Sequence, residues 1–300
     1  MFNKSFLVDK IVNSLLTNDF EVFLSSGCFD IAAKRESLML IKGLVNVDGL
    51  NEEQALSLRA ISHFLSAYPL VVSLKTSRNL LEDKMIYSRF ELPVVTPKMF
   101  EDIVEEEAMP IQSAKGRHTI AVNVETVKEK RKKLGFTLEE LSNIVGISKK
   151  ALYEIENYRV NPSEETVKKL ERVLNEDLRV AYELKFAKPT YLKPQNKLQS
   201  KVSQEFYRIG IDNSPIISAP FEIVGKEKFT LITRLPEDAA KINREAVGVK
   251  KLSSMFSSYA AFVVKKTKEK SVEGVPMLLE SELPEIDSAK ELSKLIEEKA

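Results

Sequence analysis

Cysteine and histidine are nearly absent: Cys28 is the only thiol, and His63 and His118 are the only imidazoles among 300 residues. A lone thiol forms no internal disulfide, and ligands this few and scattered form no Cys/His metal cluster, so a reducing cytosol fits. No apolar run reaches the roughly 18 residues that span a bilayer, and the amino-terminal MFNKSFLVDKIVNSLL carries Asp9 and Asn13 where a signal-peptide core would be apolar. Neither export nor a membrane span is expected. An excess of one charge sign is missing too: the net charge of +1 neither demands nor excludes a nucleic-acid partner, so charge has to be read locally. What is present is 43% hydrophobic residues over a length suited to roughly two or three domains.

Local signals agree best from Val124 to Leu174. A helix over Glu125–Leu134 stops at Gly135, which readily takes the left-handed conformation that closes a helix. Thr137 and Glu140 have the spacing of a capping box and start a second helix, which runs to about Val145 before Gly146 supplies a bend. Ser148 caps a third helix, Lys149 to about Asn157, and Thr166–Leu174 makes a fourth. Leu141, Ile144, Ile147, Leu152 and Ile155 are expected to share a core. From Lys115 to Leu174, 13 lysines and arginines outnumber nine acids, concentrated in KEKRKK and SKK, which suits phosphate contact. The bland reading of those runs is solvated helix faces on a module that meets only other proteins.

Elsewhere, helical spacing of Phe6, Leu7, Ile11, Leu15 and Leu16 predicts a helix over residues 4–17. Phe29–Arg35 and Leu38–Val47 read as a hairpin turning at Glu36 and Ser37, its second strand buried on both faces. A helix over Asn51–Leu65, strands at Pro69–Thr76 and Leu92–Val95, and a helix from Pro97 to Glu107 follow, then a linker or edge strand over Pro110–Val122. Lys185–Lys201, rich in lysine, proline and glutamine, reads as a linker. The tail contains a helix with Leu292, Leu295 and Ile296 on one stripe, packing on its own domain or on a second subunit.

The last hundred residues repeat the first hundred. Cys28–Leu44 lies over Pro220–Pro236 at a constant offset, Leu65–Thr76 over Phe256–Thr267, and Phe90–Val95 over Glu273–Leu278. Tyr68 thereby matches Tyr259, and Lys75 matches Lys266. Those two lysines, each at a strand end, are candidates for a phosphate backbone or simply solvated ends.

Gly135, Thr137, Glu140, Leu141, Gly146, Ile147, Ser148, Leu152, Glu156, Asn161 and Pro162 make the central stretch resemble the Cro/CI (XRE) family of helix-turn-helix DNA-binding domains. The resemblance implies that the third helix enters the major groove. It nominates Lys149, Lys150 and Tyr153 for base edges, Asn157 and Arg159 nearer the backbone, and Thr137 and Ser148 as further members of the DNA-binding set. One departure is Leu138, where that family often has a glutamine that touches DNA.

The order helix, FD-hairpin, helix, strand, strand, helix resembles the restriction-endonuclease-like fold, as in archaeal Holliday-junction resolvases. Those enzymes place an Asp on one strand and Glu-x-Lys on the next, two carboxylates holding a divalent cation that activates water. Here Asp30 and Lys42 occupy the Asp and Lys positions, but Leu40 stands at the second carboxylate; the other copy has Glu222, Arg234 and Ile232. Glu36 falls in the presumed turn. Both copies therefore read as catalytically degenerate, with Asp30–Lys42 and Glu222–Arg234 as structural ion pairs across each hairpin rather than a retained ligand site. No metal or cofactor is expected.

The whole layout resembles an archaeal family of helix-turn-helix transcriptional regulators. It implies two α/β nuclease-like domains, 1–112 and 202–300, flanking an all-α helix-turn-helix domain, 113–184, with a linker at 185–201. The expected function is sequence-specific regulation of transcription on double-stranded DNA by a homodimer, the flanking domains serving dimerisation or sensing. The rivals are a metal-dependent DNA endonuclease or repair factor targeted by the helix-turn-helix, and a non-catalytic scaffold or antitoxin-like protein.

Overall fold

Each end of the chain opens with a helix whose apolar residues recur every third or fourth position and packs it on a sheet. The computed structural model describes residues 3–83, 85–105, 111–114, 117–179, 184–236 and 239–300; the side chains of 111–114, 117–119 and 239–241 lie outside the description. The first helix, α1 (Lys4–Thr17), starts where the Asn3 side chain accepts from the Phe6 amide, and buries Leu7, Ile11 and Leu15. Phe6 and Leu16, expected on the same stripe, are more than half exposed. Next come β1 (Glu21–Leu24), β2 (Ile31–Lys34), β3 (Leu38–Asn46), α2 (Glu52–Phe64), β4 (Tyr68–Lys75), β5 (Met85–Arg89), β6 (Leu92–Val95) and α3 (Pro97–Val104). The β2–β3 hairpin pairs Ile31 with Ile41 and Lys34 with Leu38, so it folds about Glu36 as expected, and β3 is buried on both faces from Leu38 to Gly43.

Sequence patterning misses β1 and β5. The former is a four-residue edge strand with both ends exposed, held by pairing with β2 rather than by an alternation of its own. Strands β7 (Ile111–Ala114) and β8 (Arg117–Ile120) form a hairpin within the stretch expected as linker or edge strand, whose Pro110 lies outside the described residues. The strand order is β1-β2-β3-β4-β6-β5-β7-β8.

Four helices follow: α4 (Val124–Lys133), α5 (Leu138–Val145), α6 (Lys149–Glu156) and α7 (Glu164–Leu174). Their core contains Val127, Leu141, Val145, Leu152, Ile155, Val167 and Leu170, with Ile147 partly buried against it. Ile144, expected in this core, is 53% exposed: the buried stripe of α5 centres on Leu141, Ser142 and Val145, leaving Ile144 outside.

The last part begins with α8 (Lys197–Arg208), capped by Asn196, inside the stretch read as a linker to Lys201. It continues with β9 (Asp212–Pro215), β10 (Ile223–Lys226), β11 (Thr230–Arg234), α9 (Ala239–Phe256), β12 (Tyr259–Val264), β13 (Ser271–Val272), β14 (Val275–Leu279) and α10 (Ala289–Lys299). The strand order β9-β10-β11-β12-β14-β13 reproduces that of β1 to β6 strand for strand. Parallel pairing of β11 with β12 places the α9 crossover between them. The stripe of α10, Leu292 and Ile296, is buried in its own domain's core.

By contacts the chain divides into Met1–Val71 with Lys185–Ala300, and Val72–Leu184, β4 running across the division. Within the first unit the two repeats touch reciprocally. Lys34, ending β2, donates to Ser257 Oγ at 2.9 Å, and Lys226, ending β10, donates to Ser66 Oγ at 3.1 Å. Ser66 and Ser257 are themselves matched, each in the turn after the crossover helix with φ of 51° and 52°. Such residue-for-residue exchange is the mark of an interface with two-fold symmetry, here built inside one chain. The repeats also meet where the Cys28 amide donates to Ser218 O at 2.5 Å, and Gly27, at φ +115°, leaves no room for a side chain: a Cβ would lie 1.8 Å from that oxygen. Gly27→Ala is therefore expected to cost about 2 kcal/mol or more in urea unfolding, combining backbone strain with overpacking. No helix among the described residues is long and apolar enough to cross a membrane.

Candidate nucleic-acid interface and nuclease-like centres

The outer face of α6 is set by its caps and its buried side. Ser148 accepts from the Ala151 amide at 3.0 Å and starts the helix, and Leu152, Ile155 and Glu156 are buried. This rotation turns Lys149, Lys150, Tyr153 and Asn157 outward, with Tyr153 44% exposed. Lys149 meets Glu139 at 3.1 Å in a fully surface pair of the kind that contributes little and is readily exchanged. Among the described residues Lys150 meets no carboxylate. Asn157 donates from its amide to Tyr153 O at 2.7 Å, closing the helix end, and Arg159 bonds Glu154 at 3.3 Å with its guanidinium 5.7 Å from the Tyr153 ring centre. Thr137 completes the expected capping box, its Oγ1 accepting from the Glu140 amide and its backbone N–H donating to the Glu140 carboxylate; that backbone bond, with a second from Thr137 Oγ1, holds the Glu140 carboxyl below its usual range. Gly146 ends α5 at φ 76°.

The basic run on α4 is used differently from the expectation. Arg131 is largely buried and makes two parallel bonds to Glu156, at 2.6 and 2.9 Å, plus one to Phe136 O. The hydrogen bonds that Arg131 donates to Glu156 raise the arginine pKa. Lys130 pairs with Glu176, and Lys128 lies 5.6 Å from the Tyr158 ring centre, so Lys132 and Lys133 remain the exposed cations of that run. The sequence held Glu156 as a motif residue, but no local pattern links it to a partner 25 positions away. Glu156→Gln is expected to destabilise the helical module by about 3 kcal/mol, read as a lowered melting temperature, because it leaves a buried guanidinium without its counter-charge.

The nuclease-like centre of the first repeat is closed. Asp30 (5% exposed) and Lys42 (3% exposed) face each other across β2 and β3, with Lys42 Nζ 3.2 Å from Asp30 Oδ1. The same Oδ1 accepts from Lys4 at 2.7 Å, and Oδ2 from the Gly43 amide at 3.0 Å. Lys42 also donates to Gly27 O at 2.5 Å. Burial pushes the Lys42 ammonium below its usual range, against the opposing pull of Asp30. Leu40, where a second carboxylate would sit, is fully buried, and Glu36 is exposed in the turn. Cys28, beside this pair, is fully buried and its thiol is pushed up to about 12, which keeps it inert.

In the second repeat Glu222 pairs with Arg234 at the corresponding register, and Ile232 is fully buried. Arg234 is also clamped by Glu245 of α9 at 2.8 and 2.9 Å, and Glu222 Oε2 accepts from the Leu235 amide at 2.7 Å. Sequence reasoning missed Glu245 and Lys4, both brought in by helices. Lys75 and Lys266 lie exposed at and just beyond their strand ends. Among the described residues no group of three or more His, Cys, Asp or Glu side chains could hold a metal ion. His63 lies on α2 and the His118 side chain lies outside the described residues.

The fold and the exposed helix define a protein that joins nuclease-fold architecture to a DNA-binding helix-turn-helix. Comparison with known families agrees: a PD-(D/E)XK superfamily domain matches residues 4–110 and a helix-turn-helix domain matches residues 127–180. A "Putative HTH-type transcriptional regulatory protein" of Methanothermobacter thermautotrophicus is 30% identical over 95% of this chain and 93% of its own length. A protein of the same description from Pyrococcus abyssi is 30% identical over 97% and 95%. A crystal structure of SinR, the master regulator for biofilm formation, in complex with DNA is 35% identical over 18% of this chain and 88% of that one, with a TM-score of 0.17. The chain belongs to this archaeal family of HTH-type transcriptional regulatory proteins.

Proposed function

We propose that the chain is a sequence-specific regulator of transcription that reads double-stranded DNA with α6. In this reading the reader occupies 113–184, joined through 185–201 to the second of two nuclease-like domains, 1–112 and 202–300. The observation that carries it is the capped α6 with one face locked in a core and Lys149, Lys150, Tyr153 and Asn157 on the other. Lysine donates to guanine O6 and N7, and tyrosine reaches phosphate or a thymine methyl. Thr137 and Ser148, with hydroxyls committed to caps, sit where helix starts meet phosphates, and Arg159 flanks them.

The flanking domains bind no catalytic metal and do not cut: the first centre has one carboxylate, Asp30, held by Lys42, Lys4 and the Gly43 amide, and in the second Glu222 and Glu245 are both taken up by Arg234. They serve dimerisation or sensing, because one short helix reads few base pairs and two half-sites lie about 34 Å apart on one DNA face. Selection of genomic fragments on the purified protein tests this: one enriched site, lost with Lys149 and Lys150 both changed to alanine, is expected. Enrichment without a common sequence overturns specific regulation.

A further inference from the structure

The second repeat keeps an open cleft that the reading above leaves unused. It has a volume of about 780 Å³ and lies at the carboxyl ends of β11 and β12, where the nuclease-like pair Glu222–Arg234 forms part of the wall. Its acid is not available to a metal: Glu222 is tied to Arg234 and to the Leu235 amide, and Arg234 is clamped by Glu245. The remaining charges are Lys197, Lys265 and Lys266, all exposed and, among the described residues, without a carboxylate partner. The first repeat differs at the matching place, where Lys4 turns in to Asp30. The rest of the lining includes the apolar Leu235, Ile242 and Val264, each 6% exposed.

Unpaired cations beside a buried apolar wall, in a volume of small-molecule size, fit a ligand with one anionic end and one apolar body. A nucleic-acid backbone would present phosphates and sugars to that wall and leave it unfilled. We propose that this cleft binds a phosphorylated small molecule with an aromatic or apolar body, the phosphate held by Lys197, Lys265 and Lys266 and the body against Ile242 and Val264. The inference stands apart from DNA reading by α6, and each is tested without the other.

The probe is a fluorescent N-methylanthraniloyl derivative of ATP, titrated into the full chain with EDTA present so that no metal contributes. Saturable binding displaced by pyrophosphate and not by adenosine is expected. Lys197→Ala with Lys266→Ala should weaken it at least about tenfold, as loss of charge-assisted bonds to phosphate would. Lys266→Glu, a single exposed change, should do the same while leaving the melting temperature of the free protein unaltered. Pyrophosphate should raise the melting temperature of the wild type and not of Lys266→Glu. Absence of saturable binding, binding indifferent to both variants, or displacement by duplex DNA but not by pyrophosphate overturns the proposal.

Discussion

Asp30→Ala should lower stability by about 3 to 5 kcal/mol and leave the protein's action on DNA unchanged, because it orphans the buried Lys42 ammonium rather than removing a catalyst. Lys42 is 3% exposed and Asp30 is its charge partner at 3.2 Å. In a nuclease of this fold the same change would abolish cleavage while affecting stability little. The two outcomes separate in one experiment: urea unfolding alongside incubation of supercoiled, nicked and branched DNA with Mg²⁺ or Mn²⁺. Cleavage by the wild type that disappears in Asp30→Ala would restore the enzyme reading. The destabilisation also carries a pH signature. Burial already holds the folded Lys42 below the usual lysine range, and without Asp30 the folded pKa drops further. Between that depressed value and the unfolded one the unfolded chain holds the extra proton, so stability rises with pH there. The loss caused by Asp30→Ala therefore shrinks as pH rises through that window.

Changing Lys149 and Lys150 together to alanine should weaken binding to the selected DNA site about 100-fold, two contacts each contributing roughly 1 to 3 kcal/mol. Lys150 should account for the larger part if the Glu139 pair of Lys149 persists on DNA. A contrasting pair, Lys132→Ala with Lys133→Ala, removes exposed cations from α4 and should lower affinity for all sequences alike, reducing the salt slope by about 2 if both meet phosphates. Titrations against the selected site and a scrambled duplex at several salt concentrations measure both effects. Equal losses on both duplexes from the α6 variant would remove α6 as the element that reads sequence.

Much of this was legible in the residues because it is local. Gly135, the Thr137–Glu140 box, Gly146 and Ser148 mark helix ends by backbone chemistry acting within four positions, and the structure puts the helices between them. The hairpin about Glu36 was legible because two apolar runs flank a short polar break at Glu36 and Ser37, and the structure turns there. The failures share a cause. Strands β1 and β9 are edge strands whose four residues carry no alternation, so only their neighbours make them strands. Ile144 has core-like spacing, yet an α5 of eight residues can be rotated to satisfy Leu141 and Val145 instead.

The sequence by itself determined a helix-turn-helix with its caps, a repeated α/β domain, and the absence of a second carboxylate at Leu40 and Ile232. These depend on spacing within one element or on a match at constant offset. Tertiary structure alone decided which charges are in use. It buries Arg131 against Glu156 and seats Lys4 on Asp30. It clamps Arg234 with Glu245, and joins the repeats through Lys34–Ser257 and Lys226–Ser66. A side chain's charge is written in the sequence, but its partner and its exposure to water depend on residues brought together from distant positions. Those two quantities determine whether a lysine or arginine in this protein holds the fold or is left free for a ligand.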